Sequence, residues 1–482
     1  MLFNSFEFAI FFSVVFLLYF LSYKQLRAQN FLLLVSSYVF YGWWDWRFLS
    51  LIFISSISDY LIGLRIDKSE NTAVRKRLLL LSVFINLGIL GFFKYYNFFA
   101  ESTVDVLNFF GFQSNPFFIK VILPVGISFY TFQTMSYTID IYRRQMKATP
   151  NLLEFMAFVS FFPQLVAGPI ERAKNLLPQF GIKRKFNLSE AKEGIKQSIW
   201  GLFKKIVIAD NCAQYVNHIF ENSDTLPGSM LLIGVLLFAF QIYGDFSGYS
   251  DIAIGISRIL GFNLMQNFRS PYLAENIQDF WRRWHISLST WFRDYVYIPL
   301  GGSRSNSKIR RIYNIVVTFT VSGFWHGANW TFIIWGALHS LFYLIQNAFS
   351  NLFGQNTKRP ISIPKPLSIV ITFISVTLAW IFFRADSVAI AIKMITEILS
   401  SSLFVNPVPY LKQFGSFAQP FILIISIGYL ALFELMNRNA SYSFQVSSFK
   451  IPIKQLAYCS LLLLIIFFRA TNGKIDFIYF QF

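Results

Sequence analysis

Charge is scarce in this chain. Asp, Glu, Lys and Arg make up only 14% of its 482 residues, against roughly 25% in an ordinary soluble protein. With 55% hydrophobic and 19% aromatic residues, this excludes a soluble globular domain and a disordered chain, and identifies a polytopic integral membrane protein. Cysteine is nearly absent. Cys212 and Cys459 both lie in or near apolar segments, so neither a disulfide framework nor a cysteine metal site is implied. Histidine is almost as rare. The four residues, at 218, 285, 326 and 339, include no H-x-x-x-H or H-E-x-x-H spacing, which leaves a zinc site with little support. No internal repeat and no long soluble domain is evident.

Acidic residues are outnumbered, 24 against 42 basic ones, for a net charge of +18. In a membrane chain such an excess collects in cytoplasmic loops, and no nucleic-acid partner is implied. Lys24 and Arg27 follow the first apolar run. Arg65, Lys68, Arg75, Lys76 and Arg77 lie between the third and fourth. Arg143, Arg144 and Lys147 follow the fifth. The intervening loops near 43–46 and at Glu101 and Asp105 are poor in Lys and Arg. This alternation places both termini outside and the basic loops in the cytoplasm. The first 27 residues lack a basic n-region and a small-residue cleavage site, and read as a retained span. The basic excess could also attract an anionic cytosolic substrate, such as a nucleotide-bearing thioester.

Apolar runs predict spans at 8–23, 30–44, 47–64, 78–96, 118–138, 197–214, 229–246, 312–325, 330–348, 367–384, 420–436 and 455–470. Some are shorter than the ~20 residues that cross a bilayer, so the expected count is about 11–13. The apolar stretch 151–170 has basic residues on both sides and is interrupted by Pro163, Gly168 and Pro169. It reads as re-entrant from the cytoplasm, because broken backbone at that depth must be protein-covered or line a cavity.

Three stretches carry chemistry. The first is NIQDFWRRWHISLSTWFRDYVYIPLGGSR, 276–304. At helical spacing Ile277, Trp281, Trp284, His285, Leu288, Trp291, Phe292 and Tyr295 share one face. Arg282 and Arg293, about three turns apart, point the same way. Asp279 can pair with Arg282 or Arg283. An interfacial anchoring helix with snorkelling arginines accounts for most of this pattern, but least well for His285. The second is QIYGDFSGYSDIAIGISRILGF, 241–262, where Asp245 and Asp251 interrupt apolar sequence. Unpaired buried charge is expensive, so an ion-pair staple is expected, with Arg258, Arg269, Arg282 and Arg283 as candidate partners. The third is VSGFWHGANW, 321–330, with His326 inside membrane-like sequence. Ionisable groups at membrane depth are read as functional by default. A histidine packed in a polar gap between helices is the alternative.

In order, QIYGDFSGYSDIAIG, PYLAENIQDFWRRWHISLSTWFRDYVYIPLGG and GFWHGANWTFIIWGALH resemble the membrane-bound O-acyltransferase superfamily. The nearest resemblance is to its bacterial branch of alginate O-acetylation proteins, with the teichoic-acid D-alanylation membrane protein more distant. FFPQLVAGPIERA and AWIFFRADS resemble the same branch, so nearly the whole chain is covered. Gly244 departs from the pattern, since an aromatic residue is common there, and could widen a cavity beside Asp245.

The resemblance implies an all-α helical funnel of spans with re-entrant and interfacial helices, open to the cytosol. It makes 1–482 a single acyltransferase domain with a catalytic core at about 229–350. It maps the family's characteristic histidine onto His326 and its second polar position onto His285. It implies acetyl-CoA as cytosolic donor, no tightly bound cofactor or metal, and a bacterial inner-membrane location. The acetyl group would pass to an extracytoplasmic polysaccharide through a periplasmic or cell-surface acyltransferase partner. Histidine, with an ordinary pKa of about 6.5, suits general base work on a hydroxyl acceptor. Gly323 and Gly327 would leave room for substrate beside the imidazole. Asn329 or Trp330 could fix the tautomer or donate to an oxyanion. His285 could polarise the thioester carbonyl or hold the second substrate. Arg282, Arg283 and Arg293 could pair with CoA phosphates. Trp284, Gln241 and Asp245 complete the candidate substrate contacts. His339 reads as a helix-packing residue and His218 as part of an outer loop. A lipid or protein acyltransferase of the same superfamily, and a non-catalytic transporter of lipid-linked sugar, are the alternatives.

Overall fold

The computed structural model describes the chain except residues 113–114, 116, 120–121, 306, 354–362, 415–417, 439, 441, 447–448, 470–476 and 479–482; at 351–353 it describes backbone alone. Positions 120–121 and 470 of the expected spans therefore lie outside the described residues. Among the described residues every regular element is helical. Among the described residues six helical stretches are long and apolar enough to cross a membrane: Leu26–Lys68, Thr72–Phe109, Gly228–Ile259, Trp330–Ser350, Lys365–Arg384 and Ala418–Met436. The apolar helices Phe6–Leu21 and Ile451–Phe467 are shorter. The expected spans 30–44 and 47–64 fall together in Leu26–Lys68, joined by the single turn Trp46–Phe48.

The chain forms two compact units, Met1–Ile195 with Ala253–Met265, and Lys196–Ile252 with Gln266–Phe482. Residues 253–265 of the expected core thus belong with the first unit.

In the first unit run α1 (Phe6–Leu21), α2 (Leu26–Asp45), α3 (Leu49–Lys68), α4 (Thr72–Leu90), α5 (Tyr96–Phe109), α6 (Ile127–Tyr142), α7 (Leu152–Ser160), α8 (Phe162–Leu165) and α9 (Ala173–Phe180). Helix starts follow short polar side chains. Ser5 accepts from Phe8 N–H, Asn71 from Ala73 and Val74, and Asn151 from Leu153 and Glu154, satisfying donors that a helix leaves orphaned. The packing of α3, α4 and α6 encloses Asp59, which accepts from Ser82 Oγ at 2.6 Å and Asn86 Nδ2 at 2.7 Å. The stretch 151–170 does break, at Phe161 between α7 and α8. From Phe155 to Ile170 it is buried, and Ser37 Oγ takes the Phe162 N–H at 3.0 Å. Burial and that bond meet the condition for irregular backbone in apolar surroundings.

The second unit takes up the end of α10 (Leu188–Leu202), then α11 (Asp210–Glu221) and most of α12 (Gly228–Ile259). It continues with α13 (Ile277–Arg283), α14 (Ile286–Phe292), α15 (Lys308–His326), α16 (Trp330–Phe353), α17 (Lys365–Arg384), α18 (Val388–Ile398), α19 (Val408–Leu411), α20 (Ala418–Met436) and α21 (Ile451–Phe467). A seven-residue π-helix, Phe203–Ala209, joins α10 to α11. It lies against α12 at Gly244, where an added Cβ would stand 2.9 Å from the Lys204 carbonyl oxygen and 3.3 Å from Ala209 Cβ. Gly244 therefore admits a neighbouring backbone and does not widen a cavity.

Helices α15 and α16 form a tight hairpin. A Cβ at Gly323 would collide with the Phe332 carbonyl oxygen, and one at Gly336 with that of Phe319. Small residues permit such backbone contact between helices, and it is the main source of helix association in lipid. We expect Gly336→Ala to destabilise the protein by about 1–3 kcal/mol through overpacking, seen as a lower unfolding temperature in detergent. Gly428 on α20 has nothing within 4 Å of an added Cβ, and Gly428→Ala should be neutral or stabilising. Equal behaviour of the two variants would contradict the close approach.

Candidate active site

The stretch 276–304 is not one helix. Asn276 caps α13, its Oδ1 accepting the Asp279 N–H at 2.7 Å. The helix stops at Arg283. Trp284 is extended (φ −101°, ψ 129°) and His285 left-handed (φ 41°, ψ 54°) before α14 begins. The π-turn Arg293–Tyr297 follows α14. The residues expected on one helical face are thus distributed over two helices and a break. Trp284 turns into an aromatic box, with ring centroids 5.0 Å from Phe268, 6.0 Å from Tyr272 and 5.0 Å from Trp380. It is a packing residue there. His285 is fully buried and meets the edge of Phe246 at 4.5 Å.

His326 is the last residue of α15, and Gly327 beyond it is extended. The buried imidazole lies among Trp325 at 5.0 Å, Trp335 at 5.1 Å and Phe383 at 5.3 Å. The His285 ring stands 6.3 Å away. The two candidate histidines, forty-one residues apart in sequence, are therefore side by side, close enough to address one small group. The glycines beside His326 do not hold space for substrate. A Cβ at Gly327 would strike the Phe332 ring, and one at Gly323 its carbonyl oxygen, so both positions are filled by α16. Nor is Asn329 turned to the imidazole. Its Nδ2 donates to the Asp386 carbonyl at 3.0 Å and its Oδ1 accepts the Thr331 N–H at 3.0 Å. Trp330 is 55% exposed.

His339 is buried between Trp281 at 4.9 Å and Trp335 at 4.8 Å, stacked with Phe280, as befits a packing histidine. His218 sits in α11 against Phe414, not in a loop. Among the described residues, no three His, Cys, Asp or Glu side chains gather where they could hold a metal ion.

A cavity of about 400 Å3 opens between α13, α14, the following π-turn, α15 and α16. Arg282, Arg293 and Gln278 line it with Trp281, Phe319, Tyr343, Ser289, Thr290, Thr318 and Ser322. Ser322 lies one helical turn before His326. Arg282 and Arg293 do meet at one place, as expected, although the helix between them is broken. Arg283 does not line this cavity. Its Nε bonds both Asp279 carboxylate oxygens at 2.9 Å, and Nη1 donates to the Arg269 carbonyl at 3.3 Å.

Gln241 is buried in α12, four residues before Asp245. The α12 carboxylates have partners, but not the expected arginines. Lys205 pairs with Asp245 and Asp210, each at 2.8 Å. Lys204 pairs with Asp251, which also accepts from Gln197 Nε2 at 2.8 Å. Asp245 Oδ2 takes the Ile478 N–H at 2.8 Å. Asp245 is thus bound within a buried ion-pair network. The signal for it was present, a Lys-Lys pair inside the apolar run GLFKKIVIAD.

A polytopic helical chain with buried histidines and an arginine-lined cavity belongs to a definable class. The chain is a member of the membrane-bound O-acyltransferase family, whose model matches residues 40–385, and it is a multi-pass membrane acyltransferase. It is 44% identical over 403 residues to the probable alginate O-acetylase AlgI of Pseudomonas aeruginosa, covering 83% of this chain and 75% of that protein. It is 35% identical over 491 residues to the peptidoglycan O-acetyltransferase of Helicobacter pylori, covering 93% and 91%. It is 28% identical over 281 residues to the teichoic acid D-alanyltransferase of Streptococcus thermophilus, covering 54% and 68%.

The ion-pair network makes a testable distinction at Asp245. Removing one partner of a buried pair costs about 3–5 kcal/mol, so Asp245→Ala should lower the yield of folded protein and its unfolding temperature. A variant of wild-type stability with a raised KM would instead make Asp245 a substrate contact.

Proposed function

We propose that the chain is an O-acetyltransferase that takes acetyl groups from cytosolic acetyl-CoA and delivers them, across the bacterial inner membrane, for O-acetylation of an extracytoplasmic polysaccharide. The observation that carries this reading is the pairing of His285 and His326, together with a cavity lined by Arg282 and Arg293 whose wall includes Ile286, next to His285, and Ser322, one turn before His326. The relatives' names, an alginate O-acetylase and a peptidoglycan O-acetyltransferase, support a cell-surface glycan as final acceptor. Transfer is completed by a periplasmic or cell-surface acyltransferase partner. Both termini are extracytoplasmic, and the basic loops face the donor.

Chemically, the step needs little activation of the donor, since a thioester is already reactive. The acceptor hydroxyl must lose its proton as its oxygen attacks the carbonyl carbon. His326 takes that proton as general base. His285 stabilises negative charge on the carbonyl oxygen. Collapse of the tetrahedral adduct breaks the C–S bond, and the proton passes to the departing CoA thiolate. Arg282 and Arg293 hold the CoA phosphates by charge-assisted hydrogen bonds. The aromatic wall of Trp281, Phe319 and Tyr343 takes the apolar parts of the donor.

His326→Ala is expected to leave the protein folded and to lower acetyl transfer from acetyl-CoA by about 10²–10⁴. Near-normal transfer by a folded variant would remove His326 from the mechanism.

The arginines separate by position. Arg282→Gln and Arg293→Gln should raise the KM for acetyl-CoA more than they lower kcat, since ground-state binding is lost, and the effect should shrink at high salt. Arg283→Gln should leave KM unchanged, because Arg283 does not line the cavity. Kinetics in proteoliposomes would measure this; a KM unmoved by either of the first two variants would place the donor elsewhere.

A further inference from the structure

His285 holds a backbone conformation that residues with a Cβ rarely adopt. Left-handed backbone of this kind persists only where the surroundings over-determine it. The element that does so is the strap between α12 and α13. The Asn267 carbonyl accepts the Ile286 N–H at 2.9 Å, and the Arg269 N–H donates to the Arg283 carbonyl at 2.9 Å. These bonds lie on either side of Trp284 and His285. They take up backbone groups that the break between α13 and α14 would otherwise leave orphaned.

The Asn267 side chain, fully buried, does more. Its Oδ1 accepts from Ser287 N–H at 3.3 Å and Ser287 Oγ at 2.9 Å, while Nδ2 donates to Ser250 Oγ on α12 at 3.1 Å. His285 occupies the N-cap position of α14 without capping it through its own side chain. Asn267 supplies the cap from a distant part of the chain. The imidazole is thereby left to face Phe246 and His326.

We propose that Asn267 is the positioning residue for His285: it clamps the first turn of α14 to α12 and so fixes the imidazole beside His326. This rests on the reading of His285 as a group that acts on the acetyl donor. Asn267 itself touches no substrate in this account. Its effect on the reaction passes through His285 alone.

A double-variant cycle on the full chain in proteoliposomes tests it, reading CoA thiol release from acetyl-CoA with hydroxylamine as a small acceptor. Asn267→Ala should lower kcat at least tenfold and leave the KM for acetyl-CoA within twofold. In a His285→Ala background, the same substitution should change kcat by less than twofold. A kcat within twofold of wild type overturns the proposal, as does a full loss that multiplies onto His285→Ala. If His285→Ala alone runs at the wild-type rate, it is the functional reading of His285 that fails. If His285→Ala is slow and the losses multiply, only the positioning role fails. Should Asn267→Ala not fold, Ser287→Ala removes one bond of the clamp with little disturbance. It should lower kcat severalfold, again only where His285 is present, and an unchanged rate would overturn the proposal.

Discussion

Everything about His326 depends on how closely α15 can approach α16. Lipid offers helices no hydrophobic incentive to associate, so van der Waals contact and hydrogen bonding must supply it. Here Gly323 and Gly336 let each helix rest against a carbonyl of the other. That contact brings Trp335, the residue before Gly336, edge-on to the imidazole. Trp335 in turn stacks on Trp380 of α17 at 5.7 Å and meets Phe383 at 5.2 Å. The extended Gly327 ends α15 immediately after the histidine and leaves its Cβ position to the Phe332 ring. The imidazole thus has its walls set by three helices, two of which are registered by glycine contacts.

Buried charge imposes the second constraint on the same unit. Two lysines adjacent in sequence each find carboxylates on α12, because the chain there is wound as a π-helix. Such irregular turns are rare and concentrate at functional sites. Here the segment carries cations that α12 could not leave unmatched, since an isolated buried charge is far costlier than a paired one. Asp245 and Asp251 flank Phe246 and Ser250 on α12. Phe246 touches His285, and Ser250 receives the bond from Asn267. The network therefore ties the π-helical segment to the helix against which the site is built.

What the sequence disclosed follows from the range of the interactions involved. The membrane class and the break near Pro163 both rest on local signals, and both are read from a few neighbouring residues. His326 and His285 were found because their flanking motifs resemble a family, and the geometry brings them together. The break at Trp284–His285 gave no such signal. Arg-Trp-His-Ile contains neither Gly nor Pro, and the backbone and side chain of Asn267, eighteen residues before His285, accept the first N–H groups of α14. The partners of Asp245 and Asp251 were missed although the Lys-Lys pair was visible, because nothing in the sequence ties it to α12. They lie about forty residues before them, across a turn whose winding no periodicity announces. Gly244, Gly323 and Gly327 were read as space, whereas each is a contact. A glycine in sequence says only that a Cβ is absent; the neighbouring helix decides whether emptiness or backbone takes its place.

The broken helix has a physical logic of its own. Arg282 and Arg293 are both exposed where they line the cavity. A general base or an oxyanion donor works best where water is excluded and its neighbours are fixed. His285, only three residues after Arg282, is fully buried. In one continuous helix those two side chains would lie on the same face, within one turn of each other, and could not be served by such different surroundings. One extended and one left-handed residue resolve the conflict. Trp284 is sent into the aromatic box and His285 toward His326, and α14 restarts so that Arg293 lines the same cavity as Arg282. One extended and one left-handed residue thus separate the exposed Arg282 from the buried His285, and the strap at Asn267 takes up backbone groups on either side of that break.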